Sequence, residues 1–136
     1  MLGLGAAITN SSGGSRELIV NGSFSIASGA GVGWTANGGA TTTGGVGFLN
    51  DDPGSSLTQS ILTIGKVYNY SLIAKSPDPF GNLKISDDAG AHVTISNVPA
   101  TFTEYTGSFT AGHALFVLHE SSSGDITIDN VSITEA

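Results

Sequence analysis

The chain has 136 residues, of which 39% are hydrophobic, 7% aromatic and 11% charged, against roughly 25% charged residues in an ordinary soluble domain. Its length suits one domain with a core of its own. Eleven acidic against four basic residues leave a net charge of -7; Arg16, Lys66, Lys75 and Lys84 are scattered, so the cationic cluster that a phosphate backbone needs is missing and nucleic acid is excluded as a partner. With no cysteine, disulfides, thiolate zinc sites and cysteine nucleophiles are excluded as well. The low charge fits either a surface hidden in an assembly or an exposed one made polar by Ser, Thr and Gly.

The opening, "MLGLGAAIT", is apolar but short and carries no basic start, so it matches neither a secretion signal nor a membrane span of ~20 apolar residues. It is followed by the flexible run Asn10-Ser11-Ser12-Gly13-Gly14-Ser15. Residues 1–16 therefore read either as a frayed terminus or as an arm. Leu2, Leu4 and Ile8 favour an arm, because apolar side chains on a tether are costly unless a neighbouring surface covers them.

From residue 17 to 136 the pattern is all β. "ELIVNG" reads as a strand ended by a turn. "GWTANGG" sets Trp34 before a turn, and "VGFLNDDPG" is a short strand closed by Pro-Gly. "SSLTQSILTIGKVYNYSLIAK" predicts two strands hinged at Gly65, with Tyr68, Tyr70, Leu72 and Ala74 on one face as the clearest buried stripe. "SPDPFGN" interrupts the pattern with two prolines. "NLKISDDAGAHVTISNVP" predicts a hairpin with Asp88-Ala89-Gly90 near its tip. "TFTEYTGSFTAG" places Tyr105, Gly107 and Phe109 on one face, and "ALFVLHE" is a compact strand. In the final strand, "ITIDNVSIT", the alternation slips at Asp129-Asn130: Ile126 and Ile128 share one parity, Val131 and Ile133 the other, as a β-bulge would produce. No segment has helical periodicity. Short strands spaced in this way predict a β-sandwich jelly roll.

"ELIVNGSFS", "GWTANGG", "LTQSILTIGKVYNYSLIAK", "YTGSFTA" and "ITIDNVSI", in that order, resemble the carbohydrate-binding modules of the galactose-binding-like jelly-roll superfamily over residues 17 to 134. The resemblance implies a module that binds glycans on a concave sheet through aromatic and amide side chains, with Gln59, Asn69, Phe80 and Tyr105 as the candidates here. It also implies a structural Ca²⁺ between the first and last strands, with Asp129 at the position of the family's late Asp and Glu17 as a second candidate. Ser23 stands in "NGSF" where the family often has an acidic residue. The "GWT" position of the family packs Trp34 in the core. Separately, "MLGLGAAIT" resembles the opening of small virion proteins of tailed bacteriophages.

Catalysis is not expected. Asp51-Asp52 and Asp87-Asp88 each precede a turn and read as turn chemistry, and no nucleophile elbow or phosphate-cradling loop is present. His92 has the parity opposite to Val93 and Ile95, His113 sits in a turn and His119 ends a strand. None has the helical i, i+4 spacing of a zinc site, so all three are expected at the surface. Together these readings predict a non-enzymatic virion structural protein, a capsid decoration (cement) protein made in the host cytoplasm, that binds the major capsid protein or another virion protein as a symmetric trimer or dimer. The alternative is a carbohydrate-binding module or a tail-borne receptor-binding domain with a glycan as partner; membrane is not expected.

Deleting residues 1–16 is expected to leave a folded domain that no longer binds the particle, read by circular dichroism and by co-sedimentation with particles. A truncated protein that still sediments with them would remove the arm from the assembly.

Overall fold

The computed structural model describes residues 16–25, 33–51, 54–77, 81–120 and 124–136. Among these residues nine strands and no helix are found: β1 Thr35–Asn37, β2 Gly47–Leu49, β3 Ser56–Ser60, β4 Val67–Lys75, β5 Leu83–Asp87, β6 Gly90–Ile95, β7 Thr103–Thr110, β8 Leu115–Glu120 and β9 Ile126–Glu135. They form two antiparallel sheets, a four-stranded sheet in the order β2-β9-β4-β7 and a five-stranded sheet in the order β1-β3-β8-β5-β6. The sheets pack face to face as the β-sandwich jelly roll that the sequence predicts.

Alternation decides which side of each strand is buried. In β4 the expected stripe is inside: Tyr68, Tyr70, Leu72 and Ala74 are all buried. The five-stranded sheet answers with Leu57, Leu83, Ile85, Phe116 and Leu118, each fully buried and each contributing about 1.5–3 kcal/mol by leaving water. Aromatic rings cross the gap between the sheets: Tyr68 lies 5.9 Å from Phe109, which lies 6.2 Å from Phe116. The ring of Tyr70 packs over Gly107, where any Cβ would collide with it. Trp34 belongs to the core, as expected; it stacks on Phe24 at 5.3 Å and donates its indole N–H to the Asn21 carbonyl at 2.9 Å.

The slip in the last strand is a bulge. Asp129 pairs with Ile73 and Ser132 with Ser71, so Asn130 and Val131 together face the single residue Leu72. Asn130 takes φ 52°, a left-handed conformation that Asn tolerates better than most side chains. The bulge keeps Ile126, Ile128, Val131 and Ile133 all buried and marks a change of neighbour along β9. Before it, β9 pairs with β2; beyond it, Glu17 bridges Thr134, the Leu18 N–H donates to the Ile133 carbonyl, and the Val131 N–H donates to the Gly22 carbonyl.

The strand expected over "ELIVNG" is reduced to that one bridge. Asn21 and Phe24 adopt φ 59° and 53°, which turns the chain out of extended geometry. Residues 17–22 instead form a strap across both sheets. On the four-stranded side the Glu17 carboxylate accepts the N–H groups of Ile19 and Ile133, each at 2.9 Å, and the hydroxyl of Ser132. On the five-stranded side the Gln59 amide, buried in β3, accepts the Val20 N–H at 3.1 Å and donates to the Val20 carbonyl at 2.7 Å. Glu17→Gln exchanges one acceptor oxygen for an NH₂ facing backbone donors, and a buried donor left unsatisfied costs about 1–3 kcal/mol. A loss of that size is expected in urea denaturation, with the circular dichroism of the native state unchanged.

Candidate functional site

The two sheets differ on their outer faces. Outward residues of the four-stranded sheet (Asn69, Ser71, Ile73, Thr106, Ser108, Thr127, Asp129 and Ser132) are all at least partly exposed. On the five-stranded sheet Thr58 and Ser86 point away from the core, alternating with Leu57 and Ile85, yet they are only 7% and 2% exposed. The register aligns them with Val117 and Thr35 in one row, Thr35–Thr58–Val117–Ser86. Thr58 and Ser86 thus form the recessed floor of a shallow trough, with Val117 half-buried between them and Thr35 exposed on the edge strand.

Beside it runs a row that crosses all five strands: Asn37–Ser56–His119–Lys84–Thr94. At a strand spacing of ~4.8 Å it spans about 19 Å. Asn37 donates its amide to the Ser56 hydroxyl at 3.2 Å. His119 is half-buried; burial holds its imidazole below the usual histidine range, a contact with the Glu120 carbonyl works against that, and the charge of Lys84 adds to the lowering. At neutral pH His119 is therefore a neutral group able to donate from one nitrogen and accept at the other. The trough thus offers hydroxyls, an amide, an imidazole and an ammonium above an apolar centre at Val117, a composition that grips a polyhydroxylated ligand by hydrogen bonds.

The glycan candidates read from the sequence are not brought together. Gln59 faces inward and spends its amide on Val20. Asn69 is exposed on the outer face of the other sheet, between Thr134 and Ser108. Tyr105 lies opposite Leu72 and packs against the core. Phe80 lies outside the described residues, as do Leu2, Leu4 and Ile8 of the arm. The trough residues carried a weaker signal. Lys84 and His119 alternate with buried aliphatics in "LKIS" and "FVLHE", which marks them as outward, but only strand pairing sets them side by side.

His92 is exposed, as expected, but its ring is not free. The register of β5 and β6 shifts between Ile85 and Ser86, so His92 is an extra residue, and its ring turns back toward the sandwich. It stacks on Phe109 at 5.1 Å, its side chain is 24% exposed, and its Nε2 lies 2.6 Å from Asp87 Oδ2. Asp87 is buried and also accepts the N–H groups of Ala89 at 2.7 Å and Gly112 at 2.6 Å. The Ala89 bond is the expected turn chemistry; the His92 bond joins the two strands of the hairpin, and the Gly112 bond ties the hairpin tip to the loop before β8. His113 stays at the surface, 3.7 Å from Asp88.

The calcium candidates make separate hydrogen bonds. Glu17 accepts three protein donors, and Asp129 Oδ1 accepts the Asn130 N–H at 2.8 Å. Among the described residues no group of three or more His, Asp or Glu is placed to hold a metal ion. Calcium takes six to eight oxygens, with carboxylates supplying the charge; these two carboxylates fit a hydrogen-bonded closure of the sandwich better than they fit such a cage.

No family model matches the chain, and no curated protein matches it. Solved structures do match in fold. A CBM4 carbohydrate-binding module aligns with a TM-score of 0.59 at 20% identity, over 87% of this chain and 99% of its own. The N-terminal cellulose-binding domain of Cellulomonas fimi β-1,4-glucanase C aligns with a TM-score of 0.55 at 15% identity, over 89% of this chain and 98% of its own. The enzymatically active domain of bacteriophage CBA120 tailspike protein 4 aligns with a TM-score of 0.52 at 21% identity, over 88% of this chain but 21% of its own. The fold is therefore a jelly-roll β-sandwich, shared with these carbohydrate-binding modules and found both as whole modules and as a fraction of larger chains.

Asp87 gives the sandwich a defined response to acid. Burial alone would raise its pKa, but the bonds from His92, Gly112 and Ala89 more than offset this and hold it at about 2, below the ordinary 3.8. The native carboxyl thus releases its proton more readily than the unfolded one. Its contribution is complete above about pH 4 and is lost as the pH falls through about 2. Chemical denaturation of the wild type should lose about 2 kcal/mol more across that window than Asp87→Asn.

Proposed function

We propose that this chain is a non-enzymatic carbohydrate-binding module that holds a glycan in the trough on the outer face of its five-stranded sheet. The observation that carries the reading is the recess itself: Thr58 and Ser86 face outward and are nearly inaccessible, beside a polar row contributed by every strand of the sheet. The fold shared with carbohydrate-binding modules supports the same reading.

The setting we propose is a virion. The likeness to a domain within a bacteriophage tailspike protein and the opening "MLGLGAAIT" support a phage structural protein whose module meets surface glycans, on the tail or as a capsid decoration protein. In the second arrangement residues 1–16 dock on the lattice and the sandwich projects outward.

A glycan array followed by calorimetry tests the module. Binding at Kd of about 10–100 μM, or roughly -7 to -5.5 kcal/mol, is expected for one saccharide class. His119→Ala should weaken it about tenfold, the size of one lost hydrogen bond with a desolvated partner. Tyr105→Ala should lower stability and leave affinity unchanged, because Tyr105 packs inward. Absence of binding by folded protein, or a loss with Asn69→Ala rather than His119→Ala, would overturn the trough as the site.

A further inference from the structure

Charge on the trough is distributed unlike charge on the rest of the molecule. The chain carries eleven acidic residues and a net charge of -7, yet no Asp or Glu occurs in either trough row. The carboxylates of the five-stranded sheet, Asp87 in β5 and Glu120 in β8, have the inward parity and are each 4% exposed. Lys84 is the cation of the outer face. It lies on β5, the strand between β8 and β6, opposite His119 on one side and Thr94 on the other. Among the described residues it has no carboxylate within ion-pair distance, whereas Lys66 is paired with Glu135 at 2.8 Å and Lys75 sits over the Phe102 ring at 4.7 Å.

A second observation points into the same trough. The Ser86 hydroxyl, two residues beyond Lys84 in β5 and turned to the same side of the sheet, is buried without a hydrogen-bond partner. Buried hydroxyls are normally satisfied within the fold, so an unspent hydroxyl just beneath this surface marks a place where the fold does not complete its own polar bonding.

From this arrangement we infer that the ligand is an anionic saccharide, one whose sugar carries a carboxylate or a sulfate that pairs with Lys84. The inference rests on the trough being the glycan site. A neutral glycan would leave the ammonium without an opposite charge on a face whose described strand residues carry none, whereas an acidic sugar forms a charge-assisted bond there, roughly twice as strong as a neutral one. Partial desolvation in the recess strengthens the pair relative to open water. The net charge of the whole chain repels polyanions, so any preference for an acidic glycan must arise locally and not from general attraction.

Affinity electrophoresis and calorimetry with four polymers test this: polygalacturonate for the carboxylate, a sulfated galactan for the sulfate, and neutral galactan and xylan as uncharged counterparts. At least one acidic polymer should bind about tenfold more tightly than the neutral ones, and added salt at about 0.5 M should reduce the difference. Lys84→Gln should bring acidic binding to the neutral level, and Lys84→Arg should retain the preference. Which acidic polymer binds identifies the carboxylate or the sulfate as the anion. Equal binding of neutral and acidic polymers, or an unchanged preference in Lys84→Gln, would overturn the inference while leaving the glycan-binding reading intact. Binding to none of the four, with none on a broader array, would overturn both.

Discussion

Burial of one row of aliphatic side chains, Leu57, Leu118, Ile85 and Val93, is the constraint on which the five-stranded sheet depends. Side chains alternate across a strand, so a slip of one residue would exchange this row for Thr58, Val117 and Ser86 and place hydroxyls in the core. The register is therefore held by the hydrophobic effect, and everything on the outer face inherits it. The trough floor and the polar row are the complement of the core pattern, displayed on the opposite side of the same strands. A ligand site of this kind is rigid because it lies on paired strands and not on loops.

Three polar side chains at the margins of the core are occupied by the fold itself. Gln59 holds both backbone groups of Val20, Glu17 gathers Ile19, Ser132 and Ile133, and Asp87 gathers Ala89, His92 and Gly112. Each replaces pairing that a regular strand or turn would have supplied. An irregular strap laid over a core must have its N–H and C=O groups satisfied, because an unpaired buried backbone group costs as much as a lost hydrogen bond. This explains why residues that look suited to chemistry in the sequence, a buried carboxylate beside a histidine among them, have structural work in the molecule.

Part of the architecture was legible in advance and part was not, and the difference follows range. The Tyr68–Ala74 stripe, the Gly65 hinge, the hairpin at Asp88-Ala89-Gly90 and the bulge at Asp129-Asn130 are local patterns. Each leaves its mark within about ten residues, and each is present in the structure. His92 is at the surface as parity suggests, but its contacts with Asp87 and Phe109 could not be read from one strand, because the bulge in β6 emerges only from the register against Ile85 and Ser86. Gln59 looked available for the same reason, since its partner Val20 is 39 residues away.

Sequence by itself determined an all-β sandwich, the stripes that build its core and the fold closure at the last strand, because period-two hydrophobicity and turn residues are local and the core must be dry. Only the tertiary structure decided where a ligand can sit. Asn37, Ser56, His119, Lys84 and Thr94 come from five strands of which only β5 and β6 follow one another in sequence, and no spacing along the chain encodes the alignment of all five. Antiparallel pairing across the sheet brings them into one row, and the recess of Thr58 and Ser86 beside that row makes the surface a site.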